Sequence, residues 1–200
     1  MPFLKDFIIN KFTKIKIWKV NFGELDYFEL NKFDDSLLKL KKSLLAKEQF
    51  LAVRKTLELE NPNFKIRYNE LGKPLINSNL NISISHSNYM VAVVFSNSNK
   101  SGVDIELKEN KILNIQDKFL NESEKLKTKY QSDIDYLTRI WTAKESIYKA
   151  VGIKGISFSD NIVIKNISTN KAQGYYINGE EKDTFDLIFF SIDDYILCYA

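Results

Sequence analysis

Two short segments near the middle of the chain carry side chains whose types and spacing could do chemistry. In Val103-Asp-Ile-Glu-Leu107, a strand of period two turns Val103, Ile105 and Leu107 to one face and Asp104 and Glu106 to the other. Two carboxylates on one side can deliver oxygen ligands to a hard cation, with Mg2+ as the natural guest. The same pattern is also that of the solvated face of an edge strand. In Trp141-Thr-Ala-Lys-Glu-Ser-Ile-Tyr-Lys149, helical spacing puts Trp141, Glu145 and Lys149 on one side at i, i+4 and i+8. A carboxylate and a cation can project together from it, or form an ordinary exposed pair worth about 0.3–0.5 kcal/mol. The single histidine, His86, ends a strand between Ser85 and Ser87, and so many donors at one strand end suit an anion. A surface histidine without a role is the competing reading. Lys73, in the turn Glu70-Leu-Gly-Lys-Pro74, is either solvated charge or a phosphate contact.

Several chemistries are excluded. The chain has no glycine-rich loop ending in Gly-Lys-Ser/Thr and no His/Cys cluster with zinc spacing, which argues against loop-type nucleotide hydrolysis and zinc catalysis. The single cysteine, Cys198, lies in the apolar run Tyr195-Ile-Leu-Cys-Tyr199 and reads as a core residue rather than a thiol paired with His86. One cysteine permits no internal disulfide, so no oxidising compartment is expected. The 29 Lys+Arg against 26 Asp+Glu leave +3, too mild a charge for a nucleic-acid-coating protein. No stretch approaches the ~18 apolar residues of a membrane span, and Met1-Pro-Phe-Leu-Lys-Asp6 lacks an apolar signal core, so a cytoplasmic protein is expected.

The elements that must position these residues can be read from periodicity. With 200 residues and 44% hydrophobic content, the chain can bury a core without disulfide or metal, and no Gly/Ser linker divides it. Alternation near Lys14–Trp18 predicts a strand. Asp34-Asp35-Ser36 offers N-caps for one helical stretch toward Glu58, with Phe50, Val53 and Leu57 at helical spacing and Asn61-Pro62-Asn63 as its stop. Phe64–Tyr68 is a short strand, and Asn81–His86 with Tyr89–Phe95 reads as a hairpin, Ile82 and Ile84 on one face and Ser83 and Ser85 on the other. Helices are expected around Asn121–Lys129 and over Ile134–Val151, the second ended by Gly152 and Gly155. Strand-like runs at 162–164, 175–177, 185–192 and 195–199 predict a terminal antiparallel sheet. One faint echo links Ser85-His-Ser-Asn-Tyr89 to Ser191-Ile-Asp-Asp-Tyr195 at an offset of 106, as a duplicated α+β unit would produce.

Taken in order, Gly72-Lys73-Pro74, Ser83-Ile-Ser-His86-Ser87, Gly102-Val-Asp-Ile-Glu106, and Trp141 to Lys149 followed by Gly152 resemble the motif series of the 4'-phosphopantetheinyl transferases. The Asp-x-Glu motif lies mid-chain, as in the long, monomeric, surfactin-synthetase-activating type. The resemblance is strong from about Lys73 to Gly155. It implies an α+β, pseudo-twofold fold of two similar subdomains, 1–100 and 101–200, each with an antiparallel sheet and packed helices. Coenzyme A would lie in the cleft between them. It further implies that Asp104, Glu106 and Glu145 hold Mg2+, with Mn2+ as a substitute, and that Lys73, Ser85, His86 and Lys149 meet the cofactor and its phosphates. Glu145 would double as general base, with Lys149 as its catalytic companion. The implied reaction transfers phosphopantetheine to a serine of an acyl- or peptidyl-carrier protein and releases 3',5'-ADP, with neither nucleic acid nor membrane as partner.

One departure stands out. The family often reads Arg-Phe-Leu-x-x-Arg in its first helix, whereas this chain has Gln49-Phe-Leu-Ala-Val-Arg54, so the first arginine is missing. Arg54 remains a candidate for cofactor binding, and Lys47 is the neighbouring cation that could replace the lost charge. A silent binding module using the same cleft is the main alternative, and the intact carboxylate trio argues against it.

Overall fold

The computed structural model describes residues 3–126 and 132–200. The first half opens with a hairpin of β1 (Phe3–Asn10) and β2 (Thr13–Lys19), followed by α1 (Lys32–Lys39) and α2 (Leu44–Glu60). A small ribbon of β3 (Ile66–Tyr68) and β4 (Pro74–Ile76) leads to the hairpin β5 (Asn81–Ser87) and β6 (Met90–Ser96). These strands form an antiparallel sheet in the order β1-β2-β6-β5. The second half runs through β7 (Val103–Leu107), α3 (Lys111–Ile115), α4 (Glu122–Lys125) and α5 (Ile134–Val151). It ends with β8 (Ile162–Lys165), β9 (Lys171–Asn178), β10 (Glu181–Ile192) and β11 (Tyr195–Tyr199), in the sheet order β7-β11-β10-β9-β8. The mixed α+β architecture is therefore as the sequence implies. Among the described residues no helix is long and apolar enough to cross a membrane.

Each half buries one sheet face under its long helix. Leu51, Val53 and Leu57 of α2 pack on Trp18, Val91 and Phe95, and Ile140, Ala143 and Ile147 of α5 pack on Ile164, Leu187 and Ile196. A third core lies between the sheets, where Ile15, Ile17, Ala92, Val103, Ile105 and Leu197 meet. Strand β6 is buried along its whole length because it has α2 on one face and this central core on the other.

Three sequence expectations need correction. The single helix toward Glu58 is two helices. Asn31 caps α1 by accepting from Asp34 N, and Ser43 caps α2 by accepting from Ala46 N. Asp34 is no cap; it is buried in an ion pair with Arg54 that ties α1 across α2. The helix expected over Asn121–Lys129 is a single turn, Glu122–Lys125, and its remainder from 127 lies outside the described residues. The internal echo is also one residue out of register. The β5–β6 turn has Asn88 at φ 45° between the pair Ser87 and Met90, and the β10–β11 turn has Asp193 at φ 50° between Ile192 and Tyr195. The structural repeat is therefore 88 against 193, a spacing of 105. Matching letters gave 106, but side-chain alternation makes a shift of one residue swap the two faces of a strand. In the correct register, Ile15 and Ile17 stand where Val103 and Ile105 do, while Lys16 and Trp18 stand where Asp104 and Glu106 do.

Candidate active site

The site lies where the edge strands β5 and β7 of the two sheets meet. No backbone ladder joins them. Instead, the amides of Val103, Ile105 and Leu107 donate to the hydroxyls of Ser83, Ser85 and Ser87 at 3.1, 3.3 and 3.3 Å. Serine at every second residue of β5 thus satisfies an otherwise orphaned sheet edge. Two of these hydroxyls also donate onward, Ser85 to Asp104 Oδ1 at 2.7 Å and Ser87 to Glu106 Oε2 at 2.8 Å. The seam joining the two halves therefore also orients two carboxylates. The face shared by Ser83 and Ser85 was legible in the sequence; that it orients the carboxylates was not, because the pairing of β5 with β7 spans the two halves.

Helix α5 supplies the opposite side. Gly102 lets β7 approach it closely, since a Cβ there would stand 2.0 Å from Ser146 O and 2.8 Å from Ala150 N. Lys149 Nζ consequently reaches Asp104 Oδ1 at 2.7 Å. Trp141 packs against Phe119 and Phe158 and also donates from Nε1 to Glu106 Oε1 at 3.2 Å. The helix ends at Gly152, whose φ of 68° needs the left-handed conformation that glycine adopts without strain.

One residue before Glu145, Lys144 is wholly buried. Its Nζ pairs with Glu124 Oε2 at 2.7 Å and donates to the carbonyls of Phe119, Phe158 and Ile162 at 2.6, 2.9 and 2.8 Å. Glu124 also accepts from the amides of Asn121 and Ile164. Burial lowers the Lys144 pKa and Glu124 opposes that shift. Sequence reasoning missed this clamp, although the Asn121-x-x-Glu124 capping box was a visible signal for one end of it.

These elements enclose a cavity of about 550 Å³ between the halves. Asp104, Glu106, Glu145, Lys149, His86 and Ser85 all line it. Burial first, then the charges of Asp104 and Glu106, push the Glu145 carboxyl up to about 7, against the pull of Lys149. Burial and then Asp104 also raise Glu106. Burial and then Lys149 lower the His86 pKa. Arg54 lines the same cavity, its Nε 2.7 Å from Asp34 Oδ1 and its guanidinium 3.9 Å from the Phe50 ring centroid.

Lys73 and Lys47 lie elsewhere. Lys73 belongs to an adjoining pocket of about 170 Å³ with Lys149 and Gly152. Lys47 is exposed and lines neither space. The Ser85 hydroxyl is engaged by Asp104 and Ile105 N, which makes it a support for a carboxylate. Gln49, in place of the family arginine, donates to Asn88 O at 2.7 Å and braces the β5–β6 turn.

Among the described residues, no three His, Cys, Asp or Glu side chains stand already gathered at coordinating distance. The chemistry of the donors nevertheless fits a hard divalent cation. All three carboxylates supply oxygen, and Asp104 Oδ2 is a buried acceptor with no hydrogen-bond partner. The set is open, as suits a cation that keeps water and takes further oxygens from a phosphate ligand.

Residues 100–200 match the sequence model of the 4'-phosphopantetheinyl transferase superfamily. The 4'-phosphopantetheinyl transferase gsp of Aneurinibacillus migulanus is 36% identical over a match 99 residues long that covers 48% of this chain and 41% of that protein. The match thus spans less than half the length of that relative.

Proposed function

Since the chain belongs to the 4'-phosphopantetheinyl transferase superfamily, we propose that it transfers the 4'-phosphopantetheine group of coenzyme A to a serine of an apo acyl- or peptidyl-carrier protein. One cavity sets three carboxylates, Asp104, Glu106 and Glu145, against the cations Lys149 and Arg54, and this observation carries the reading. Carboxylates alone would repel a pyrophosphate. Asp104, Glu106 and Glu145 are the residues that would hold Mg2+, or Mn2+ in its place. When bound, the ion supplies the positive charge that lets pyrophosphate lie beside them and stabilises the leaving phosphate oxygen.

The chain's own groups perform the rest. The carrier serine oxygen bonds to the pantetheine-side phosphorus, the bond from that phosphorus to the bridging oxygen breaks, and 3',5'-ADP departs. Glu145 accepts the serine proton, directly or through water. Without a cation, burial holds that carboxyl up at about 7; a coordinated Mg2+ would lower its proton affinity, which makes metal ligation the stronger of its two roles. Lys149 faces the charge that develops on the phosphoryl oxygens, and His86 can donate an N–H to a phosphate. Ser85, Ser87 and Trp141 hold the carboxylates in place and leave the chemistry to them. Both walls of the cleft come from one chain, which supports a working monomer.

The test is to incubate the protein with coenzyme A, Mg2+ and a panel of apo-carriers and to follow intact carrier mass. A gain of one phosphopantetheine on a carrier serine is the expected result. No gain on acyl- or peptidyl-carriers of any pathway would overturn the assignment.

A further inference from the structure

The seam between β5 and β7 does not stop at its third serine. Rungs join 83 to 103, 85 to 105 and 87 to 107 through serine hydroxyls. Just beyond the ends of both strands, Asn88 Nδ2 donates to Glu109 Oε1 at 2.9 Å. Asn88 is the left-handed residue of the β5–β6 turn, with φ 45°. Glycine would take that conformation without strain, so asparagine carries a backbone cost that its side chain has to offset. Its contacts reach opposite halves of the molecule. The carbonyl oxygen accepts from Gln49 Nε2 of α2 at 2.7 Å, while the side-chain amide holds Glu109, two residues past β7. Tyr89 repeats the arrangement, its carbonyl accepting from Val20 N at 2.7 Å and its amide donating to the Tyr195 hydroxyl at 3.3 Å. Gln49 lines the cavity from the α2 wall and Glu106 from the β7 wall, so this turn ties the two walls together at one end.

Immediately before the turn, Ser87 donates to Glu106 Oε2 at 2.8 Å and accepts from Leu107 N. A shift of the turn is therefore passed to Glu106, whereas Asp104 has its own holders in Ser85 and Lys149. We propose that Asn88 is a positioning residue for the cation site: by fastening the β5–β6 turn to Glu109, it sets where Ser87 holds Glu106 relative to Asp104 and Glu145. Gln49 braces the same turn from the other wall. This rests on the reading that the three carboxylates hold a divalent cation.

The test is Mn2+ binding followed by electron paramagnetic resonance, with coenzyme A present and no carrier, against the same titration of coenzyme A alone. Asn88→Gly keeps the left-handed turn and deletes the rung. Asp193→Gly makes the same change at the β10–β11 turn, where φ is 50° and no carboxylate of the site lies behind it. An outer partner bonded directly to a metal ligand is worth about ten- to hundredfold in affinity, and Asn88 acts one bond further out, so Asn88→Gly should weaken Mn2+ about fivefold. Asp193→Gly should leave the affinity unchanged. Asn88→Asp should weaken Mn2+ at least as much, because two carboxylates would face each other. Adding Glu109→Gln should bring the affinity back to within about twofold of the wild type, since an amide again faces a carboxylate at the original net charge. Unchanged affinity in Asn88→Gly overturns the proposal, as does an equal loss in Asp193→Gly or a double variant no tighter than Asn88→Asp. A wild type that binds no Mn2+ beyond coenzyme A alone removes the cation reading and this inference together.

Discussion

Lys149 Nζ and Asp104 Oδ1 stand 2.7 Å apart across the junction of α5 and β7. The pair places an ammonium group beside a carboxylate that is otherwise only 3% exposed. Lys149 is thus both a support for the site and a candidate phosphate contact, and the two roles are separable by experiment.

Lys149→Ala should lower turnover about a hundredfold if the ammonium group faces charge in the transition state. It should also cost about 1–3 kcal/mol of stability, less than a fully buried pair because the lysine is partly exposed. Urea midpoints and single-turnover rates measured on the same preparations check both. An unchanged rate at reduced stability would leave Lys149 a purely structural partner.

Glu106→Gln and Glu145→Gln should keep the far-ultraviolet circular dichroism of the parent and abolish carrier modification. Removal of divalent cations with a chelator should do the same to the unmodified protein, with recovery on adding Mg2+. Intact-mass analysis reads all three, and full modification by either variant would remove that carboxylate from the metal set.

The serine seam predicts a graded response. Ser83→Ala removes only the acceptor for Val103 N and should cost about 1 kcal/mol with little change in the Mg2+ requirement. Ser85→Ala also removes the donor to Asp104, so it should cost about 1–3 kcal/mol and shift the Mg2+ concentration for half-maximal activity. Equal Mg2+ titrations for the two variants would show that the seam does not orient Asp104.

Lys144→Met should be the most destabilising of these changes, by about 3–5 kcal/mol, because it leaves Glu124 buried and charged without its cation. Adding Glu124→Gln should recover part of the loss, since its side-chain oxygen can still accept from one amide. Denaturant titrations of single and double variants check the sign of the recovery.

Cys198 provides a pH test. Burial raises its thiol pKa far above the ordinary value, so the folded protein keeps a proton that the unfolded chain releases near pH ~8.5. Unfolding then releases protons, and above about pH 8.5 stability should fall as pH rises, by up to ~1.4 kcal/mol per unit from this group. Cys198→Ala should remove that part of the slope in denaturant titrations at stepped pH. The native thiol should also resist a disulfide reagent that modifies it at once in urea.

The sequence carried its motifs plainly because each is local. Asp104 and Glu106 share a strand face, and Glu145 and Lys149 share a helix face, so period alone put each pair together. What joins the pairs is non-local: the close approach at Gly102 and the hydroxyls of β5 that cap β7. The α1–α2 break escaped notice because Leu37, Leu38, Leu44 and Leu45 continue an apolar pattern through it. Lys144 was hidden for a different reason, since a lysine inside a polar helical motif looks solvated until four oxygens are seen around it.

The register of 105 gives the molecule two junctions drawn to one plan, and they have been finished in opposite materials. At the second, Ile188, Phe190 and Ile192 take the places of the three serines, and Phe190 packs against Phe7 with the rings tilted by 36° and their centroids 4.1 Å apart. Lys16 and Trp18 take the places of the carboxylates. One seam is lined by hydroxyls and carboxylates and the other by apolar side chains, of which Ile188, Phe190 and Ile192 are half-buried and border an open cleft with Phe7. Cohesion between the halves can therefore be carried by apolar contact, chiefly the central core of Ile15, Ile17, Val103 and Ile105, which leaves the polar seam free to spend its groups on a ligand. Planting Glu at 16 or 18 would accordingly yield a destabilised protein rather than a second site, for it would lack the hydroxyls that make a carboxylate welcome there.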